Sequence, residues 1–335
     1  MTHNCFNRFV LASPHRVAMP LAVYPGLALT GAKVRDVVSD PRVQFEVQQA
    51  LHQRHHTFFV LSAMDLSAEA EAFGCTVHAF DNEVPTVTGR LVTTLEQAQK
   101  LSVPKPGDRR TAVYLETVRR LRGLPERPLV LGGCIGPFSL AARLVGVSEA
   151  MEMTVTEPDL MHMLIEKSAG FLLEYLRAFR EAGADGVIMA EPAAGLLSPA
   201  SMLRLSSAYI KTIGAATADG RFALILHNCA AKLVHLPSVL ETGLHTFHFG
   251  APMDLAEALG RVPADVVLCG NLDPTGVFVQ SSPAEITSRA LALLKANANH
   301  RNWVLSSGCD VPPTAPLTSL DALYTALQIM PAPRR

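Results

Sequence analysis

Short apolar runs recur along the chain at residues 19–24, 57–64, 128–134, 185–191, 222–228, 245–250, 265–270 and 303–307. Several of them, such as Leu129-Val-Leu and Ala223-Leu-Ile-Leu, contain no polar position. A strand covered on both faces reads this way, whereas a half-exposed strand alternates. Between the runs lie segments of helical period. From about Glu157 to Gly183, apolar side chains at Leu160, Leu164, Phe171, Leu172, Leu176 and Phe179 recur near helical spacing. Pro158 suits the first turn of that helix, and Gly183 its C-terminal side. Further helices are predicted from Ser198 to about Ile213, from Pro283 to about Ala298 and from Ser319 to about Ile329, with Ser319 as N-cap of the last.

Strand–helix alternation repeated about eight times favours a closed parallel barrel over an open sheet. The expectation is an α/β chain with a (β/α)8 TIM barrel fold, one domain over residues 1–335. After the second strand the pattern breaks. Cys75–Phe80 and Val84–Gly89 flank Asp81-Asn82 and read as an inserted β-hairpin. Helical stretches between about residues 94 and 124 lead on to the third strand.

Composition narrows the function classes. The chain of 335 residues is 49% hydrophobic and 18% charged, with a formal net charge of −1. Such a balance provides no basic field for nucleic acid or an anionic membrane. No run is long enough for a membrane span, and the first residues lack the apolar stretch of a signal peptide. Cys5, Cys75, Cys134, Cys229, Cys269 and Cys309 are scattered without disulfide-framework spacing. A reduced, cytoplasmic setting is expected, in which such residues serve as core, metal ligands or nucleophiles.

Candidate chemistry gathers at predicted strand ends. His227 and Cys229 close the fifth run two residues apart, so both side chains project to one face. Cys309 follows the last run in Gly308-Cys309-Asp310. Barrels place active sites at the C-terminal ends of their strands, and side chains there converge from distant parts of the chain. Imidazole and thiolate are good zinc ligands, and three protein ligands with an open fourth position make a catalytic site. An acidic set, Asp65, Glu191, Asp254 and Asp273, also lies just beyond strand ends. These carboxylates read either as site residues or as caps of the following helices, with Glu191 also open to a role as fourth ligand. His248, in the sixth run, is a candidate to face the pocket. Cys134 and Cys269 sit in apolar runs and read as core.

Five ordered segments carry a family resemblance. They are Ala63-Met-Asp65 through Gly74, Leu129 through Pro137-Phe138, Glu191-Pro192 through Pro199, Gly270-Asn271-Leu-Asp273-Pro274, and Gly308-Cys309 through Pro316. Together they resemble the uroporphyrinogen decarboxylase superfamily, and within it the branch of methylcobalamin:coenzyme M and related corrinoid methyltransferases. The decarboxylases carry paired arginines near the N-terminus for the substrate's carboxylates; here that region, Ala18 through Gly26, has none. They also have a histidine where this chain has Cys309.

The resemblance implies Zn2+ held by His227, Cys229 and Cys309, with Ala230 where a glycine often follows in the family. It implies a pocket role for Asp65, which falls where the decarboxylases keep their catalytic aspartate. From their places at strand ends, Glu191 is a further catalytic candidate, and His248, Asp254, Asn271 and Asp273 are candidates for substrate binding. The implied activity is methyl transfer from a methylated corrinoid (methylcobalamin, or a corrinoid protein as partner) to a small thiol such as coenzyme M. A uroporphyrinogen decarboxylase and a catalytically silent corrinoid-binding protein of the same fold are the alternatives.

Overall fold

The computed structural model describes residues 4–330. Its strands are β1 (Phe59–Leu61), β2 (Thr76–His78), β3 (Thr86–Thr88), β4 (Leu129–Ile135), β5 (Gly186–Ala190), β6 (Ala223–Asn228), β7 (Thr246–Phe249), β8 (Val267–Leu272) and β9 (Trp303–Ser307). Seven of them form one curled parallel sheet in the order β1-β4-β5-β6-β7-β8-β9, while β2 and β3 pair antiparallel by themselves. Every residue of β5 through β9 is buried, as unbroken apolar runs require when both faces are covered.

The helix Pro158–Glu181 covers one face. Pro158 opens it and Gly183, at a φ of 98°, lies just past its end, where only glycine is free of strain. Its buried stripe carries Leu160, Leu164, Phe171, Leu172, Tyr175, Leu176 and Phe179. Gly132 on β4 makes room for this packing, since a Cβ there would stand 2.7 Å from the Phe179 ring. Helices at Pro283–Ala296 and Leu317–Ile329 follow the sequence pattern, and Ser282 with Glu285 forms a capping box for the first. Ser319 is not the cap of the last helix. It lies inside it, buried, and donates its hydroxyl to the Phe278 carbonyl at 2.7 Å. The helix predicted from Ser198 is capped by Ser198, and a π-helical stretch at Leu203–Ser207 interrupts it.

The predicted first strand, 19–24, departs from the eight-strand expectation. Val17 and Met19 hydrogen-bond to Leu305 of β9, forming one parallel bridge at Ala18. Pro20 then has no N–H to offer the β1 side, and the next donor toward β9 is Leu21. Leu21 donates instead to the Ser307 hydroxyl, at 2.9 Å, and accepts from the Val311 amide, at 2.8 Å. On its other side the run packs against Phe59 and Leu61 of β1 around a small cavity. The edge between β9 and β1 is therefore filled by an irregular segment held by packing and side-chain bonds. No helix among the described residues is long and apolar enough to cross a membrane.

The C-terminal ends of the strands are joined by close backbone approaches. A Cβ on Gly250, after β7, would stand 2.1 Å from the Cys229 carbonyl oxygen; one on Gly308, after β9, would stand 2.8 Å from the Ala251 nitrogen. Neither neighbour is a flexible side-chain tip. Gly250→Ala should therefore destabilise the fold by ~1–3 kcal/mol or more, read as a lower urea midpoint at unchanged slope.

Near the end of β4, Glu69 is buried and accepts from the Ile135 amide at 3.1 Å, while its Oε2 has no partner. Burial pushes its carboxyl up from 4.5 to about 8, opposed by the backbone hydrogen bonds. The folded protein thus holds this proton more tightly than the unfolded chain does. Its contribution to stability is complete below pH 4.5 and is lost as pH rises through about 8. Glu69→Gln should remove that slope. Relative to wild type, the variant gains roughly 2–5 kcal/mol between acid and alkaline ends of this window, measured by urea unfolding at several pH values.

Candidate metal centre

His227, Cys229 and Cys309 meet at the C-terminal edge of the sheet. The ligand atoms of all three lie within 4.8 Å of one another, and His227 Nε2 stands 3.4 Å from Cys309 Sγ. His227 is the fifth residue of β6, and Cys229 follows in the bend beyond it. Asn228 shapes that bend: its Oδ1 accepts from the Ala230 and Ala231 amides at 3.2 and 3.0 Å. Cys309 arrives from the loop after β9, seated by the Gly308 contact with Gly250.

The spacing suits a tetrahedral cation. Zinc bonds of about 2.0–2.1 Å to nitrogen and 2.3 Å to sulfur put neighbouring ligands roughly 3.5 Å apart. His227 is buried whereas Cys229 and Cys309 are half-buried, and Cys229 lines a cleft. Electrostatics divide the sulfurs. A hydrogen bond from the Cys309 thiol lowers Cys229 to about 4 against the cost of burial. Cys309 is pushed up, because its proton is the one the pair retains. Of the two sulfurs, Cys229 is thus the one whose proton is held less tightly.

Behind His227 lies His248, wholly buried. The two Nδ1 atoms are 2.9 Å apart, and His248 Nε2 is 2.8 Å from the Ser306 hydroxyl. Ser306 in turn donates to the Met19 carbonyl. Burial, with His227 alongside, holds His248 well below the ordinary histidine range, so it is neutral. His248, expected to face the pocket, stands behind His227 with both ring nitrogens engaged.

The expected carboxylates are engaged elsewhere. Asp65 has a side chain with no exposure, and its Oδ1 accepts from the Ser67 amide and hydroxyl at 3.0 and 2.6 Å. Its Oδ2 takes Arg110 and the Tyr114 hydroxyl. Glu191 is buried and accepts from the Phe138 and Ser139 amides at 2.9 and 2.8 Å, capping the helix Pro137–Val145, and from Ser206 at 2.9 Å. Neither joins the His–Cys cluster. Burial raises the Glu191 carboxyl despite these bonds. The π-helical stretch at Leu203–Ser207 is what carries Ser206 to it.

Asp254 is the exposed N-cap of Leu255–Arg261, and Asp273 is an exposed turn residue accepting from the Thr275 and Gly276 amides. Asn271 is buried and donates to the Gly250 and Met253 carbonyls at 2.9 and 2.7 Å, tying β8 to the loop after β7. Of the acidic set, Asp254 is a helix cap, Asp273 and Glu191 accept from backbone amides, and Asp65 is held by Arg110 and Tyr114.

Two residues escaped the sequence reading. Ser306 sits in an apolar run with nothing to mark it. Arg143 left a trace: every other residue of Pro137–Val145 is buried. It lines a cleft of ≈ 270 Å³ together with Cys229, Ala230, Ser139, Pro192 and Leu196. Among the described residues its guanidinium has no ion-pair partner, and desolvation lowers its proton affinity, opposed by the Asp65 charge.

Comparison with known proteins places these features in a family. The methylcobamide:CoM methyltransferase MtbA of Methanosarcina mazei is 28% identical over 286 residues, covering 83% of each chain. Its counterpart from Methanosarcina acetivorans is 26% identical over the same length. A uroporphyrinogen decarboxylase of Coxiella burnetii is 25% identical over 273 residues, covering 79% of this chain and 75% of that one. A solved structure described as a methyltransferase from Methanosarcina mazei superposes with a TM-score of 0.85 at 22% identity, covering 96% of this chain and 97% of that chain. That likeness establishes the shared fold. The family model for uroporphyrinogen decarboxylase (URO-D) spans residues 15–329, and the chain belongs to that family.

Proposed function

We propose that this protein is a zinc-dependent methyltransferase that moves a methyl group from a methylated corrinoid to a thiol such as coenzyme M. The observation that carries the proposal is the convergence of His227, Cys229 and Cys309 within 4.8 Å, with Cys229 lining a cleft. The names of the Methanosarcina relatives support the same reaction class. The donor would be carried by a small corrinoid protein docking over that cleft.

A free thiol, with a pKa near 8.5, is mostly protonated at neutral pH and a weak nucleophile. Zinc bound at the cluster would supply the missing activation by deprotonating the acceptor thiol and fixing the position of its sulfur. The chain's own residues do the rest. Cys229 has a lowered proton affinity and His227 is held from behind, so both are disposed to serve as donors. Pro192, Leu196 and Ala230 give the cleft apolar walls that limit water beside the sulfur. Arg143 presents an unpaired cation in the same cleft, suited to the sulfonate of coenzyme M.

A decarboxylase of this fold would need Asp65 at its substrate. Here Asp65 is sealed, with both oxygens taken by Ser67, Arg110 and Tyr114. That arrangement favours the methyltransferase reading over the decarboxylase one.

Metal analysis of the purified protein should find about one zinc per chain. Cys309→Ala should lose most of it and lower methylcobalamin:thiol transfer by roughly two orders of magnitude or more. Full transfer by a zinc-free Cys309→Ala protein would sink the proposal. Zinc without any thiol methylation would instead favour a silent corrinoid-binding protein. Arg143→Met keeps the apolar stem but removes the charge. It should raise KM for coenzyme M by about tenfold or more while leaving 2-mercaptoethanol unaffected, compared in the same assay.

A further inference from the structure

We infer that His248 and Ser306 are positioning residues: with the Met19 carbonyl they form a relay that holds His227 as its Nδ1–H tautomer and aims its Nε2 lone pair at the two sulfurs. The consequence for metal affinity rests on the zinc reading above; the tautomer does not.

The relay can be followed from its far end. A backbone carbonyl only accepts, so the single hydroxyl hydrogen of Ser306 goes to Met19. The Ser306 oxygen is then an acceptor for His248 Nε2, 2.8 Å away, which must carry a hydrogen. Reversing this bond would ask one hydroxyl hydrogen to serve two acceptors. A second proton on His248 would leave a buried charge whose hydrogen-bond partners include no carboxylate. Its Nδ1 therefore keeps a lone pair. The two Nδ1 atoms, 2.9 Å apart, cannot both accept, so the hydrogen between them belongs to His227. The His248 carbonyl, 3.3 Å from the same His227 nitrogen, shares that hydrogen.

The ring planes stand at 76° with centroids 4.7 Å apart, so the bond fixes the orientation of the His227 ring as well as its tautomer. Nε2, the nitrogen left bare, is the one 3.4 Å from Cys309 Sγ. Because the relay ends on Met19, the irregular run between β9 and β1 takes part in orienting a ligand on β6.

Two measurements test this. In metal-free protein with 15N-labelled histidine, long-range 1H–15N correlations should give His227 as a single Nδ1–H tautomer; in Ser306→Ala the two tautomers should mix. A bare Nδ1 on His227 in the wild type would overturn the relay. Zinc affinity, by chelator competition on variants shown to be folded by their melting curves, should fall about 10–100-fold in His248→Phe and less in Ser306→Ala. His248→Gln should recover most of the loss, because its amide can accept from His227 and donate to Ser306. The ligand-field spectrum of the Co2+-substituted protein should change in His248→Phe and return toward wild type in His248→Gln. Wild-type affinity in both His248→Phe and Ser306→Ala would also overturn the inference. If wild type binds no zinc, the metal reading falls while the tautomer is still decided by the NMR experiment.

Discussion

Parallel register along the sheet governs where the chemistry sits. His227 of β6 is the direct partner of His248 on β7, and Asn271 of β8 is the partner of Ser306 on β9. A slip of one residue in either pairing would turn the side chains to the opposite face. Because every strand from β5 to β9 is buried on both sides, such a slip would also bury the wrong set throughout. The arrangement of imidazoles, hydroxyl and sulfurs is thus a by-product of the same packing that makes the sheet stable. Local changes at the edge, such as the Asn228 bend, only adjust where Cys229 points.

Buried carboxylates in this fold act as connectors. Asp65 gathers Arg110, Tyr114 and Ser67, and Arg110 reaches on to Glu71 at 2.6 Å. Glu191 joins the end of β5 to the start of Pro137–Val145 and to the π-helical stretch. An anionic or hydrogen-bonding group at a helix N-terminus satisfies amides that the helix itself leaves open. Both residues lie in strand–helix turns, where that need recurs, and each is saturated by it.

Much of this was legible in the chain. The apolar runs from 128 onward became β4 through β9, the long helix matched its predicted ends at Pro158 and Gly183, and the His-x-Cys pair with Cys309 converged. What stayed illegible depends on partners far away in sequence. Residues 19–24 look like a strand by apolarity, yet Pro20 offers no N–H toward β1, Leu21 donates to a side chain, and the final geometry comes from Leu305, Ser307 and Val311. Asp65 in isolation is a carboxylate at a strand end, and only the fold brings Arg110 and Tyr114 to it. His248 could be placed near the pocket from its strand, but whether it faced substrate or ligand depended on Ser306, 58 positions along the chain.

The glycine contacts at the sheet's C-terminal edge bear on how the centre would be loaded. Gly250 lies against the Cys229 backbone and Gly308 against the Gly250–Ala251 backbone, so three loops are stacked main chain to main chain with no side chain between them. The ring and both sulfurs are consequently mounted on one stiff ledge instead of on independent tethers. Capturing an ion there would require little new ordering of the polypeptide, and releasing it would leave the ledge standing. Loading and unloading would then be events of that edge, uncoupled from the folding of the sheet beneath.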